Sequence, residues 1–473
     1  MPPHSQHTAL STHQTSGLAT LGGTLPEDVA TFIDGLDMGR QDLGLTRMQQ
    51  LLSLLKHPER AYPVIHVGGS NGKGSVVAML VAVLKAAGYR VGSTISPHLQ
   101  HVTERVQLQG QPISTELFSS VVRDIRNQLL TTDWSLEQWP TYFEFMVAVA
   151  LETFRREAID IAVVEVGLGG RLDATNAMEK TLLSIVTSIS LEHTEWLGNT
   201  LAAIAYEKAG IFRENTPVVL GPQDPNNLPA EAAEVLYQQA SLKQCPIFQA
   251  NSNWLQPEPN TLQACYQSFR HVETSQTLSL SLLGEYQQHN LATVLASLSV
   301  LQQQGFSTSW PSIAAGLKQV HWPARFQYFP NKQLLIDGSH NAQGFESLQR
   351  SLAKHFPGRP AYWLLSLRQN RPLTPLLRLV EEYPDTRGIV FTALPEKSTV
   401  YHSPQQLREA FRKQSVFEHI PLWASQHPHT AKWMLDKWLS GSSHSENCLG
   451  IATGSLYVAG TLLDSVTPTL EEG

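Results

Sequence analysis

The stretch that decides the fold is VIHVGGSNGKGSVVAMLVAVLKAAGYRVG, residues 64–92. A short β-branched run, VIHVG, leads into a glycine-rich turn and then into an apolar segment of helical length. That order is the context a phosphate-binding loop requires. Glycines let backbone N–H groups approach an anion, the helix start adds partial positive charge, and Lys73 adds a full one. The common spelling G-x-x-x-x-G-K-[ST] is not matched, because Gly74 follows Lys73 and the hydroxyl arrives one residue later, at Ser75. Gly68 also stands one residue too close to Gly72. A plain glycine-rich turn with an exposed lysine is the ordinary alternative, and strand, glycines, lysine and helix in sequence weigh against it.

Working outward, the runs YPVIHVGG, RVGSTI, IDIAVVEVG, LLSIVTSI and PVVLG each have the length of a buried strand. Helix-like segments such as 73–88 and 200–211 lie between them, which predicts an α/β fold with a mainly parallel sheet flanked by helices. Residues 221–283, rich in Gln, Asn and Pro, predict a strand-rich appendage or variable loops. A helix over 286–305 follows, and KQLLIDGSHN, PAYWLLSLR, RGIVFTAL and NCLGIATGS open a second α/β series. The expected division is a loose tail (1–25), a P-loop ATPase domain (26–320) and a smaller, Rossmann-like α/β domain (321–473).

Bulk properties narrow the function. A chain of 473 residues exceeds one hydrophobic core, and 42% apolar with 16% charged residues suits an ordinary globular protein. The net charge of -7 argues against nucleic acid as partner. Cys245, Cys265 and Cys448 form no C-x-x-C pair, so neither a disulfide scaffold nor a zinc site is expected. No apolar run reaches the ~20 residues of a membrane span. The first residues hold neither Lys nor Arg nor an apolar core, so no targeting signal is read and the cytoplasm is the expected setting.

Several polar residues fall where strands end, which in a parallel sheet is the ligand side. Ser96 follows RVGSTI, and its turn is otherwise an ordinary capped loop. Glu165 closes IDIAVVE ahead of GLGGRLDATN, and an acid beside a phosphate loop is where a Mg2+ ligand belongs. The plain alternative, a glutamate capping the next turn, leaves an ionised group at the sheet edge without a partner. LLSIVTSIS delivers Glu192 and His193 to the same edge, ahead of Glu207 and Lys208. Alone, a histidine is usually structural and a Glu-Lys pair usually solvated. In the second series Arg325, Asp337, His340 and Asn341 fall on loops suited to a ribose or base, or to a simple turn.

Taken in order, these segments resemble the folylpolyglutamate synthase/dihydrofolate synthase family, the folate branch of the Mur ligase superfamily, from about residue 34 to the end. The family writes its loop G-T-N-G-K-G-[ST]; here it is Gly69-Ser70-Asn71-Gly72-Lys73-Gly74-Ser75. Cell-wall Mur ligases place Thr or Ser directly after the lysine, so Gly74 favours the folate branch. Further matches are SPHL…TERV (96–106), TYFEF (141–145), EVGLGGRLDATN (165–176), EKAGI (207–211), DGSHN (337–341) and GSLYVAG (454–460).

The resemblance implies ATP contacts by Asn71, Gly72, Lys73, Gly74, Ser75, Asn290, Arg325 and Asp337, with His340 close by. It implies one Mg2+ on Ser96 and Glu165 and a second on Glu165, His193 and a carbamylated Lys208, together with room for a monovalent cation. It gives Lys73, His193 and Lys208 catalytic roles, and places Tyr142, Phe143, Glu144, Arg171, Leu172, Asp173 and Thr175 on the substrate side. Three departures stand out. The family's P-G-R is Pro323-Ala324-Arg325, and Ala324 is not expected to copy a glycine with positive φ. The family's Asp-His pair is Glu192-His193, one methylene longer. Where relatives carry a Lys-Asp pair, this chain reads SLRQNRP.

The implied reaction is ATP-dependent addition of L-glutamate to dihydropteroate, to the γ-carboxylate of a reduced folate, or to both. DLGLTR (42–47) resembles the pterin-side element of bifunctional members. The expected partners are these small molecules, with no nucleic acid or membrane, and the expected state is a monomer. The rivals are a regulatory P-loop NTPase, which needs no Ser96–His193–Lys208 constellation, a cell-wall Mur ligase, whose nucleotide-sugar domain has no room before residue 64, and a non-enzymatic folate-binding relic, which requires lost catalytic groups.

Overall fold

The apolar runs form strands covered on both faces, which is why they read as unbroken rather than alternating. The computed structural model describes residues 24–36, 44–135, 137–259, 265–395, 399–441 and 448–466. Most of the expected tail and the first residues of DLGLTR lie outside these.

The first sheet holds β1 (Val64–Gly68), β2 (Val91–Thr94), β3 (Val106–Leu108), β4 (Gln111–Pro112), β5 (Ile161–Glu165), β6 (Thr181–Val186), β7 (Val218–Leu220) and β8 (Ile247–Gln249). Their order is β4-β3-β2-β5-β1-β6-β7-β8. All neighbours from β2 to β8 in that order are parallel, and β3 and β4 form an antiparallel edge. The pleat divides the strands between two layers. Ile65 and Val67 pack with helices Lys73–Ala86, Gln287–Gln303 and Trp310–Gln319, whereas Val64, Ala162 and Val164 pack with helices Thr115–Leu130 and Tyr142–Arg156. Helix Lys73–Ala86 is enclosed by sheet and helices, which explains its uniformly apolar composition.

Residues 221–283 contain both helix and strand. Helix Ala230–Leu242 returns the chain to add β8 to the main sheet, and β9 (Leu255–Pro257), β10 (Gln267–His271) and β11 (Thr277–Leu280) make a small antiparallel sheet. The second α/β unit comprises β12 (Gln327–Phe329), β13 (Leu334–Ile336), β14 (Ala361–Leu365), β15 (Thr386–Thr392), β16 (Leu422–Ser425) and β17 (Leu449–Thr453). Their order is β12-β13-β17-β14-β15-β16, parallel except at β12. Again the pleat feeds two cores: Leu335, Trp363, Leu365 and Phe391 face one, Leu334, Ile336, Leu364 and Val390 the other. Among the described residues no helix is long and apolar enough to cross a membrane.

Candidate active site

The carboxyl ends of both parallel sheets look into one cleft of about 430 Å³. Of the residues expected to act, Asn71, Gly72, Lys73, Gly74, Ser75, Ser96, Glu165, His193, Asn290, Arg325, Asp337 and His340 all line it.

The phosphate loop is held from behind by the chain that follows β6. Ser70 N donates to Ser188 O (2.7 Å), Asn71 N to Ser188 Oγ (2.9 Å), and Thr187 Oγ1 to Asn71 O (2.7 Å). Gly72 adopts φ +86, and a Cβ there would lie 2.3 Å from Asn290 Oδ1, so glycine is required twice over. Gln287 links Ser75 Oγ (3.3 Å) to Asn290 Nδ2 (2.9 Å), tying the helix start to the next layer. Lys73 Nζ folds onto the loop's own carbonyls, Gly69 O (2.8 Å) and Ser70 O (3.1 Å).

Beside the loop, Glu165 is buried at the end of β5, and burial pushes its carboxyl up to about 7 against the pull of Lys73 and Arg325. Ser96 lies on the SPHL loop, which Glu104 gathers by accepting from Leu99 N, Gln100 N and His101 N at 2.6–2.9 Å. A buried carboxylate that shares the cleft wall with the Ser96 hydroxyl is an oxygen donor set that suits a hard divalent cation. Lys208 is buried outside the lining, where its ammonium donates to Glu192 Oε1 (2.7 Å) and Gly69 O (3.0 Å). Burial pulls Lys208 down; it works to raise Glu192 too, but Lys208 and Lys73 outweigh it and hold that carboxyl at about 2. Glu192, one methylene longer than the aspartate of the resembled pattern, is the carboxylate that meets this amine. As an amine Lys208 donates, so it suits a metal only once carbamylated.

From the second sheet, Asp337 accepts from Phe326 N (2.8 Å) and Ser339 N (2.9 Å), so both oxygens organise the loops that carry Arg325 and His340. His340 is bonded through Nδ1 to Gly338 O (2.8 Å), and burial lowers it to about 4, leaving a neutral ring. The expectation for Ala324 is corrected: it does adopt φ +57. Its N–H donates to Gln327 Oε1 (3.0 Å) and its carbonyl accepts from Gly338 N (2.8 Å), which holds the left-handed turn without glycine. Ala324→Gly relieves backbone strain but removes a fully buried methyl and frees the unfolded chain. Its stability in denaturant titrations should therefore change by less than about 1 kcal/mol; a larger loss would mean that packing of the buried methyl outweighs the strain it imposes.

The residues expected on the substrate side do not line the main cleft. Phe143 and Thr175 border a small recess shared with Ser96, Arg105 and Glu165. Tyr142 packs its ring against the Arg105 guanidinium (5.3 Å). Glu144 is occupied by Thr141 N (2.7 Å) in a helix-capping box and by Arg47 Nε (3.2 Å). Arg171 pairs with Glu207 (2.9 Å) rather than a cavity. Asp173 accepts from Leu168 N (2.7 Å) and Thr175 Oγ1 (2.5 Å), fixing the GLGGRLDATN loop, while Leu172 is half-buried within that loop. Sequence reasoning did not single out Gln343, which bonds Asn71 Nδ2 and Asn226 O across the cleft, or the cleft-lining Arg368 and Arg371. The rule that found Glu165, polar residues just past a parallel strand, also points to the two arginines after β14.

A phosphate loop and a facing α/β domain, closing on a buried acid, define an ATP-dependent ligase of the Mur type. Residues 67–298 match the Mur ligase middle domain. The chain is 32% identical over 364 residues to the dihydrofolate synthase/folylpolyglutamate synthase of Bacillus subtilis, covering 76% of this chain and 83% of that one. Its counterpart from Mycobacterium tuberculosis is 31% identical, covering 80% and 82%. A structure of Mycobacterium tuberculosis folylpolyglutamate synthase complexed with ADP and AMPPCP superposes with a TM-score of 0.80 at 27% identity, over 94% of this chain and 98% of that one. The chain belongs to the dihydrofolate synthase/folylpolyglutamate synthase family.

Proposed function

We propose that this protein is an ATP-dependent ligase that forms an amide between L-glutamate and a folate-type carboxylate, either dihydropteroate or the γ-carboxylate of a reduced folate. The observation that carries it is the shared cleft, where the phosphate loop, Glu165 and the Arg325–Asp337 loops meet. Residues 26–320 act as the ATPase domain and 321–473 as the domain that closes over it. A carboxylate is a poor electrophile, so it first attacks the γ-phosphorus of ATP, releasing ADP and forming an acyl phosphate. The amine of L-glutamate then attacks that carbonyl, and inorganic phosphate leaves from the tetrahedral intermediate.

The residues align and stabilise charge more than they react. Lys73 exchanges its loop carbonyls for the γ-phosphate, and the amides of residues 71–75 receive the phosphate oxygens at the helix start. Asn290 and Arg325 hold the nucleotide, while Asp337 shapes the loop that presents Arg325 and His340. Neutral His340 adds no charge beside them. Ser96 and Glu165 would hold a Mg2+ ion, with His193 and carbamylated Lys208 completing a second site; bound there, the metal offsets phosphate charge. Phe143, Thr175 and the GLGGRLDATN loop lie toward the acceptor.

The test is phosphate release by the purified chain with ATP, Mg2+ and L-glutamate, offering dihydropteroate and tetrahydrofolate separately. Release with both gives a bifunctional enzyme and release with one assigns the acceptor. Release with neither overturns the ligase reading.

A further inference from the structure

A strand covered on both faces is apolar throughout, and β1 obeys that rule at Val64, Ile65, Val67 and Gly68 but not at His66. The imidazole is fully buried, and burial, reinforced by Arg213, lowers it to about 3, so the ring is neutral. Nε2 meets Thr175 Oγ1 at 2.8 Å, while Nδ1 is buried without a hydrogen-bond partner among the described residues. An aliphatic residue here would leave no ring nitrogen unpaired. A buried polar atom kept at a cost calls for a reason.

The hydrogen bonds around the ring assign its tautomer. Thr175 has one hydroxyl proton, and it goes to Asp173 Oδ1 at 2.5 Å. The same carboxyl accepts from Thr175 N (3.0 Å) and Leu168 N (2.7 Å), so these donors hold a group whose burial disfavours its charge. A proton on Nδ1 would turn Nε2 into a rival for the Thr175 proton, strip Asp173 of a donor and bury an N–H with no acceptor. The ring therefore carries its proton on Nε2 and donates to Thr175, which donates to Asp173. This chain of bonds links the strand ahead of the phosphate loop to the GLGGRLDATN loop. Its middle member, Thr175, borders the recess shared with Phe143, Arg105, Ser96 and Glu165.

We infer that His66 is a positioning residue for the acceptor: its Nε2–H fixes the direction of the Thr175 hydroxyl, and so keeps Thr175 and Asp173 in the single arrangement that receives the acceptor. It touches no reactant itself. The inference rests on the reading above that places this loop toward the acceptor. Without the donor, the Thr175 hydroxyl turns freely, Asp173 loses a bond, and the loop it anchors loses its fixed edge along the recess. His66 also lies in the strand that runs directly into the phosphate loop. A merely structural role would therefore disturb nucleotide binding first, which separates the two roles.

The test uses the full chain with His66→Leu, which removes the donor, and His66→Gln, whose side-chain amide supplies an N–H in place of Nε2. With dihydropteroate or tetrahydrofolate, whichever supports phosphate release, His66→Leu should raise the acceptor KM roughly tenfold, as loss of one hydrogen bond does. KM for ATP should not move, and kcat should be little changed. His66→Gln should recover most of the loss. In a Thr175→Val background, His66→Leu should add nothing, because the bond it removes is already gone. Nitrogen-15 NMR of the histidine-labelled wild type should show a ring protonated at Nε2 and bare at Nδ1, whose signals vanish in both variants. Unfolding temperatures within about 3 °C of the wild type would confirm folded variants. Equal rises in KM for ATP and acceptor would make His66 a support of the phosphate loop and overturn the inference. So would an unmoved acceptor KM, additive losses with Thr175→Val, or a ring protonated at Nδ1. Should His66→Leu not fold, the wild-type spectrum decides: the acceptor, and not ADP, should shift the Nε2–H signal, and the reverse overturns the inference. A wild type that releases no phosphate with either acceptor would instead bring down the ligase reading, and this inference with it.

Discussion

Replacing Glu165 by glutamine is expected to stabilise the ligand-free protein above pH 7 while removing nearly all turnover. The carboxyl is buried, and its folded pKa is raised from 4.5 to about 7. An acid raised by folding holds its proton more tightly in the native state. Stability therefore falls as pH rises from 4.5 to 7, and the loss is complete above that window. A shift of this size corresponds to at most about 3 kcal/mol. Glutamine has the same shape without the charge, so the variant escapes the loss. Its ligand-free Tm should exceed that of the wild type by a few degrees at about pH 8 and converge near pH 5. Phosphate release should fall roughly 10³-fold, because on the proposed reading Glu165 would hold the cation that offsets the developing phosphoryl charge. Thermal unfolding at the two pH values and a turnover assay suffice. A variant less stable than wild type at the higher pH would mean that Lys73 and Arg325 already compensate Glu165, and the site would not be primed for a cation.

The same physics explains what could be read in the residues beforehand. β1, β2, β5, β6 and β7 were legible because strands covered on both faces are unbroken apolar runs. β8, β12 and β16 were not, since each is three or four half-buried residues, too short and too mixed for a periodic signal. Site residues at strand ends were readable for the same topological reason: Ser96, Glu165, His193 and Asp337 each follow or close a parallel strand and reach one cleft. Partner identity was not. Glu144 sits in a motif that looks like a binding element, yet its oxygens serve a helix cap and Arg47. Ala324 looked unable to replace a glycine, but Gln327 and Gly338 hold its backbone in the left-handed region. Contacts between distant segments, such as Gln343 with Asn71, leave no local pattern at all.

Gly74 shows where the two kinds of information meet, and it yields the second large effect: Gly74→Ala is expected to weaken ATP binding about 100-fold, as small misplacements of catalytic geometry can. The residue lies in the first turn of helix Lys73–Ala86, and its φ is not in the left-handed region. Its requirement is spatial. A Cβ at this position would stand 2.4 Å from Trp322 Cζ2 and 2.8 Å from Cε2, inside the indole ring. Trp322 packs against the core that contains this helix and immediately precedes Pro323-Ala324-Arg325. The extra glycine of the loop is therefore the seat of the segment leading into the C-terminal domain, and a methyl there must push the indole or the helix start aside. Stability should fall by about 1–3 kcal/mol as in other overpacked cores. Trp322→Leu should be damaging alone yet less so in combination, because it vacates the space the methyl needs. The double-mutant cycle should then show a compensating coupling above about 1 kcal/mol, measured by both denaturant unfolding and nucleotide titration. Strict additivity would mean that the indole swings away freely, and that Gly74 is needed for the approach of phosphate rather than for the seating of Trp322.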